Sequence, residues 1–274
     1  YESYCDQKLS REFGSYSVGT YDPIYLYERY KCRIIEARPR QVSEASSFLC
    51  PSSHLNAYQN IKSDIQRGND LKKYQSRRLK SLDYDDDMLS HWGIQHLHFG
   101  QALDSDGFVN RTGDLLFVYF THSHAYVVGV YGHGDWTDTN IIQVIHDNWP
   151  HELHVFKSNS TSTPVRLTSQ DYRVLRKKGA NSTIVVSDGT EYISPGMGVT
   201  CNKAPMSATV NSSRIIYEFN LAYDAIVENI DLILESDPMK RTSDILTIGF
   251  EGIDNLNVAI YKIKETGHKF TISS

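Results

Sequence analysis

Apolar positions recur along the chain at two periods. Over residues 55–68, Leu55, Tyr58, Ile61 and Ile65 fall three or four apart on one helical stripe, and Gly68 follows as a C-terminal cap. Residues 139–148 repeat the pattern with Ile141, Ile142, Ile145 and Trp149, between Asp138 at the start and a stop at Pro150. A basic helix is expected over 70–82 behind the pair Asn69 and Asp70, and the longest helix from 213 to about 235, capped by Ser212 or Ser213 and closed by Pro238. Period two marks strands at 93–99, 115–121 and 125–132, the last two joined by a His-Ser-His connection into an antiparallel hairpin. Further strands are expected at 30–40, stopped by Pro39, on either side of Asp188 and Gly189, and at 245–250 and 257–263. Residues 1–29 mix tyrosines with polar residues at no clear period and read as an irregular, packed-down arm.

This order of elements predicts an α+β fold in which helices precede an antiparallel sheet. The polar run 157–164 reads as a linker, dividing a domain at 1–157 from a smaller C-terminal α+β domain at 165–274. Composition fits a globular chain of 274 residues, with 40% hydrophobic and 22% charged side chains. The formal net charge of −5 argues against a strongly basic wrapper of nucleic acid, although it leaves room for a local basic patch. Neither an apolar run long enough to span a bilayer nor a signal-peptide pattern is present, so no membrane association is expected. Cys5, Cys32, Cys50 and Cys201 form no CxxC pair and read as reduced thiols, which favours the cytoplasm. Four Asn-x-Ser/Thr triplets do not change that expectation in a chain this rich in Asn, Ser and Thr.

The chemistry concentrates in one window. Nine of the 11 histidines and all three tryptophans lie between His91 and His154. In the stretch GIQHLHFG, alternation turns Leu97 and Phe99 to one side and Ile94, His96 and His98 to the other. That sets two imidazoles about 6–7 Å apart along a strand. If helices cover only the Leu97 side, His96 and His98 look out from an open sheet face. Downstream, His133 sits in a Gly-His-Gly bend, and Arg111 precedes the first strand of the hairpin.

Three readings are open at this point. Imidazoles that titrate near neutrality suit general acid and base roles, and a fixed arginine suits charge on a scissile phosphate. His96 and His98, joined by His133 or an aspartate, also match a metal-ligand set, although a bare His-x-His is weakly specific. Half-buried strand histidines making ordinary hydrogen bonds are the third reading. Arg77, Arg78 and Lys80 are candidate phosphate contacts, beside an acidic run at Asp83, Asp85, Asp86 and Asp87. His91 precedes the strand. His122, His124, His151 and His154 read as turn or surface residues, and His146 as a helix-flank packing residue. The glycine-containing stretch 194–199 lacks the lysine and the hydroxyl of a phosphate-binding loop.

Two resemblances follow from the stretch that runs from SRRLK through HWGIQHLHFG to the hairpin and its helix. It resembles a group of uncharacterised bacterial proteins sharing a WGIxHLHL strand and an LLF hairpin, which implies no activity. Over about residues 55–150 it also resembles RelE-type toxin ribonucleases, in which helices precede an antiparallel sheet and an Arg-x-Gly pair enters a strand, as Arg111 and Gly113 do here. The second resemblance implies an RNA-cleaving, toxin-like or phage-defence role. The expectation is therefore a metal-independent endoribonuclease with no cofactor, using His96, His98, Arg111 and His133. RNA is its expected substrate, an antitoxin or defence protein its possible partner, and a homo-oligomer its possible state. The alternatives are a non-enzymatic interaction component and a histidine-ligated metal hydrolase.

Overall fold

The computed structural model describes residues 1–17, 19, 21–159, 165–239, 245–254 and 258–272. In chain order its elements begin with α1 (Glu2–Phe13), α2 (Pro23–Arg33), β1 (Gln41–Glu44) and α3 (Leu55–Arg67). Then come α4 (Asp87–Trp92), β2 (Ile94–His98), β3 (Asp114–Phe120), β4 (His124–Gly132) and α5 (Asn140–Asn148). After α6 (Ser169–Lys178), β5 (Ile184–Val185) and β6 (Glu191–Tyr192), the chain ends with α7 (Met206–Glu228), α8 (Ile230–Ser236), β7 (Ile248–Ile253), β8 (Ala259–Ile263) and β9 (Lys269–Thr271). This is a mixed α+β chain. It divides into two compact units, one of residues 29–208 and one of residues 1–28 with 209–274.

The unit of residues 29–208 is built on a four-stranded sheet in the order β1-β4-β3-β2. β2, β3 and β4 form the antiparallel meander that the period-two pattern predicts, with His96 opposite Phe117 and His98 opposite Leu115. The edge strand β1 runs parallel to β4, a departure from a wholly antiparallel sheet. Both faces of the sheet are covered. α3 lays Ala57, Tyr58, Ile61 and Ile65 against Leu97, Leu116, Val118 and Val127. On the other face Ile141, Ile142 and Ile145 of α5 pack with Ile94, Leu115, Phe117 and Val128, and Tyr172, Ile184 and Tyr192 join the same core. Strands covered on both sides carry near-continuous apolar runs, as Leu115 to Val118 do here. Residues 165–208 thus share the core of the histidine-bearing sheet, whereas the sequence division at 157/165 assigns them to the C-terminal domain. Within the expected linker, residues 160–164 lie outside the described residues, while Ser158 donates its backbone N–H to Glu191 at 2.8 Å.

The other unit pairs α1 and the N-terminal part of α2 with most of α7, α8 and a three-stranded antiparallel sheet, β7-β8-β9. Its centre is aromatic: Phe219 meets Tyr1 at 4.6 Å and Phe250 at 5.1 Å between ring centroids.

Several expectations are corrected. Residues 1–29 are largely helical rather than an irregular arm, and residues 30–33 end α2 instead of opening a strand. The basic stretch 70–82 forms two short 3-10 turns, Lys72–Tyr74 and Arg77–Lys80, because Asp70 and Ser76 side chains accept from Lys72 and Arg78 backbone N–H groups and turn the chain twice. α7 starts seven residues before the expected 213, since the Ser212 hydroxyl bonds the Thr209 carbonyl within the helix rather than capping an end. Among the described residues no helix is long and apolar enough to cross a membrane.

Candidate acid–base cleft

The buried face of β2 leads into a short helix that sets up the site. Asp86 caps α4, its Oδ1 accepting from Met88 and Leu89 N–H groups at 3.1 and 3.0 Å, and Gly93 in the left-handed region ends the helix. The chain then enters β2 directly, which holds His96 beside the cap. Asp86 Oδ2 is 3.4 Å from His96 Nδ1, and both side chains are nearly buried. The two are not aligned for a hydrogen bond, so the buried Nδ1 has no partner. Burial pushes the His96 pKa down, Asp86 pulls it back up, and His133 and Arg111 push it down further.

His98 is 2% exposed. The Thr112 backbone N–H donates to its Nδ1 at 3.3 Å, so the neutral ring carries its proton on Nε2. That Nε2 is buried without a partner. Burial first, then His96, Arg111 and His133, push the His98 pKa down to about 4. The expectation that His96 and His98 look out from an open sheet face is therefore corrected: α5 and the segments packed with it cover that face.

The opening lies at the edge of the sheet instead. A cleft of about 250 Å³ is lined by His96, His133, Arg111, Arg78, Trp136, Tyr84 and the carboxylates of Asp85, Asp86 and Asp87. His133 is exposed, on the bend completed by Gly134 at φ 116°, with its ring 5.8 Å from His98 and 5.7 Å from Trp136. Trp136 stacks on Phe117 at 5.8 Å and approaches His96 at 5.0 Å, forming an aromatic wall. Arg111 is exposed and makes no hydrogen bond or ion pair with a described residue. Asp85, by contrast, is held by a two-pronged ion pair with Arg29 at 2.8 Å on each side.

The three basic residues of the 3-10 turn separate. Arg78 lines the cleft, its guanidinium 4.9 Å from the Tyr84 ring centre. Arg77 turns away to Asp104 and to Asp106 at 2.8 Å, and Lys80 is 3.7 Å from the same Asp106. His91 is buried, and burial together with Arg176 holds its pKa down at about 4. His146 meets Tyr192 Oη at 2.8 Å, and His151 and His154 are exposed. No group of three or more His, Cys, Asp or Glu side chains is set to hold a metal ion among the described residues.

Asp86, Tyr84 and Trp136 are cleft residues that the sequence reading passed over. The signal for Asp86 was present: an Asp cap, six helical residues and Gly93 spell a short helix inside what reads as a solvated acidic run. Arg176 sits behind the wall, its guanidinium 4.2 Å over Trp92 and donating to the Trp136 carbonyl. In comparisons with known proteins, no family model, no curated protein and no solved structure matches the chain.

Proposed function

We propose that this cleft cleaves a phosphodiester by acid–base chemistry, making the chain a metal-independent endoribonuclease. One observation carries the reading: a nearly buried imidazole backed by a carboxylate, an exposed imidazole and an unpaired arginine line the same cleft. Neutral His96 takes the proton of a ribose 2′-hydroxyl, and Asp86 stabilises the imidazolium that results. The 2′-oxygen attacks phosphorus, Arg111 and Arg78 meet the developing charge on the non-bridging oxygens, and His133 protonates the departing 5′-oxygen. The products are a 2′,3′-cyclic phosphate and a free 5′-hydroxyl. His98, neutral near pH 7 and fixed by the Thr112 N–H, is reassigned from proton transfer to a supporting ring behind the two reacting imidazoles.

The non-enzymatic reading fits best if the histidines are individually hydrogen-bonded with no cleft beside them. Unpartnered ring nitrogens next to a polar cleft favour the catalytic reading instead. Purified protein incubated with end-labelled single-stranded RNA and a chelator is expected to release fragments ending in cyclic phosphate, while the DNA of the same sequence stays intact. Replacing His96, His133 or Arg111 by Ala is expected to slow cleavage about a hundredfold each. Absence of cleavage, or full cleavage by these variants, overturns the reading.

A further inference from the structure

The outer face of α7 carries the exposed apolar side chains Val210, Tyr217 and Leu221 among charged ones. Within the smaller unit the inner face presents Ile215, Phe219, Ala222 and Ile226, three or four residues apart, and Phe219 enters the aromatic centre. At 3.6 residues per turn, positions 210, 214, 217, 221, 224 and 228 fall on the opposite side. Their spacing is 4, 3, 4, 3, 4, the heptad seam of a paired helix. Val210, Tyr217 and Leu221 are exposed at 44%, 62% and 51%. The seam is thus half apolar and half charged, with its apolar members exposed to solvent.

Charge identifies the occupant. The seam holds one cation near its start, Arg214, and two anions near its end, Asp224 and Glu228. A second copy laid parallel brings Arg214 to Arg214 and Asp224 to Asp224. A second copy laid antiparallel does the reverse. With Tyr217 of one copy against Leu221 of the other, the two-fold axis repeats that layer and sets Arg214 against Asp224 of the second copy at both ends. The outermost layers lay Val210 along the aliphatic stem of Glu228 of the second copy. Such a surface is self-complementary, as a two-fold interface requires, and antiparallel helix dipoles add to it. Among the described residues of one chain Arg214 pairs only with Glu218, at 3.6 Å on an exposed surface, so it is available for a better partner. We propose that α7 is the interface of an antiparallel two-fold dimer of this chain, paired along residues 210–228.

The experiment is sedimentation equilibrium on the full chain, with circular dichroism as the control for folding. The wild type is expected to be a reversible dimer. Leu221→Asp, on the outer face and away from the aromatic centre, is expected to be a folded monomer. Arg214→Asp and Asp224→Arg alone are each expected to weaken the dimer about tenfold, and the double variant to restore it, since the swap re-pairs charges only in the antiparallel arrangement. A wild type that stays monomeric at every concentration assigns the face to some other occupant and overturns the proposal. A dimer that survives Leu221→Asp overturns it too, as does a charge swap that fails to rescue.

Discussion

His91 and His98 are kept neutral by the packing around them, and this sets the acid limit of stability. Both fold with pKa values near 4, against an ordinary 6.5, chiefly because burial penalises the charged ring. As pH falls below about 6.5 the unfolded chain takes up these protons first, so stability is complete above that value and is lost on descent toward 4. The limit is about 3 kcal/mol for each ring. Urea unfolding between pH 7 and 4 is expected to show the loss, and His98→Gln to flatten part of it; a wild-type profile already flat there refutes the assignment. Asp86 separates two roles at one residue. Asp86→Ala removes the cap of α4 and costs about 1 kcal/mol, whereas Asp86→Asn keeps a capping oxygen and removes the charge beside His96. Because that charge raises the His96 pKa, Asp86→Asn is expected to move the acid limb of the pH–rate profile to lower pH and to slow cleavage. An unmoved limb excludes His96 as the base.

At the scale of elements, α4 is held at its C-terminal end by the loop after β6. Gly196 and Gly198 donate their N–H groups to the His91 and Ser90 carbonyls at 3.1 and 2.7 Å. A Cβ on Gly196 meets Leu89 O at 2.1 Å and Ser90 O at 2.5 Å, both backbone atoms that cannot step aside. Gly196→Ala is therefore expected to destabilise the chain by about 2–4 kcal/mol and to lower cleavage by displacing Asp86; a thermal melt matching wild type refutes this. No local pattern in 194–199 announces this loop, because its partners at Ser90 and His91 lie about a hundred residues earlier in the chain. Elements whose pattern is local were legible: Ile61 and Ile65 at helical spacing gave α3, and the alternation through Leu115 to Val118 gave β3. Elements fixed by tertiary hydrogen bonds were not. Arg33, in the helical end of α2, donates to the Ser81 and Tyr84 carbonyls, partners that no local pattern announces. The site divides the same way. Alternation put His96 and His98 on one side, but whether that side was open depended on α5 and on residues 165–192, far along the chain.

For the whole molecule, charge limits how the proposed RNA substrate would be held. The net charge is −5, and Arg77 and Lys80 are committed to Asp104 and Asp106, which leaves Arg78 and Arg111 as the guanidinium groups lining the cleft. Two phosphates neutralised on a single strand give a slope of about −1.4 in log K against log salt, far below that of a wrapper contacting six to ten. Binding of a short single-stranded RNA to the His96→Ala variant, in which the proposed cleavage is slowed, is thus expected to be weak and only mildly salt-sensitive, with Arg111→Gln in that background reducing the slope by about 0.7. Asp85, Asp86 and Asp87 line the same cleft as Arg78 and Arg111, so a strand entering it would meet carboxylate repulsion beside the two guanidinium groups, which favours a flexible strand presenting one scissile phosphate over a rigid duplex. Fluorescence anisotropy across a salt series checks this. A slope steeper than about −4 requires a basic surface that Arg78 and Arg111 do not supply, and moves the nucleic-acid contact away from the cleft.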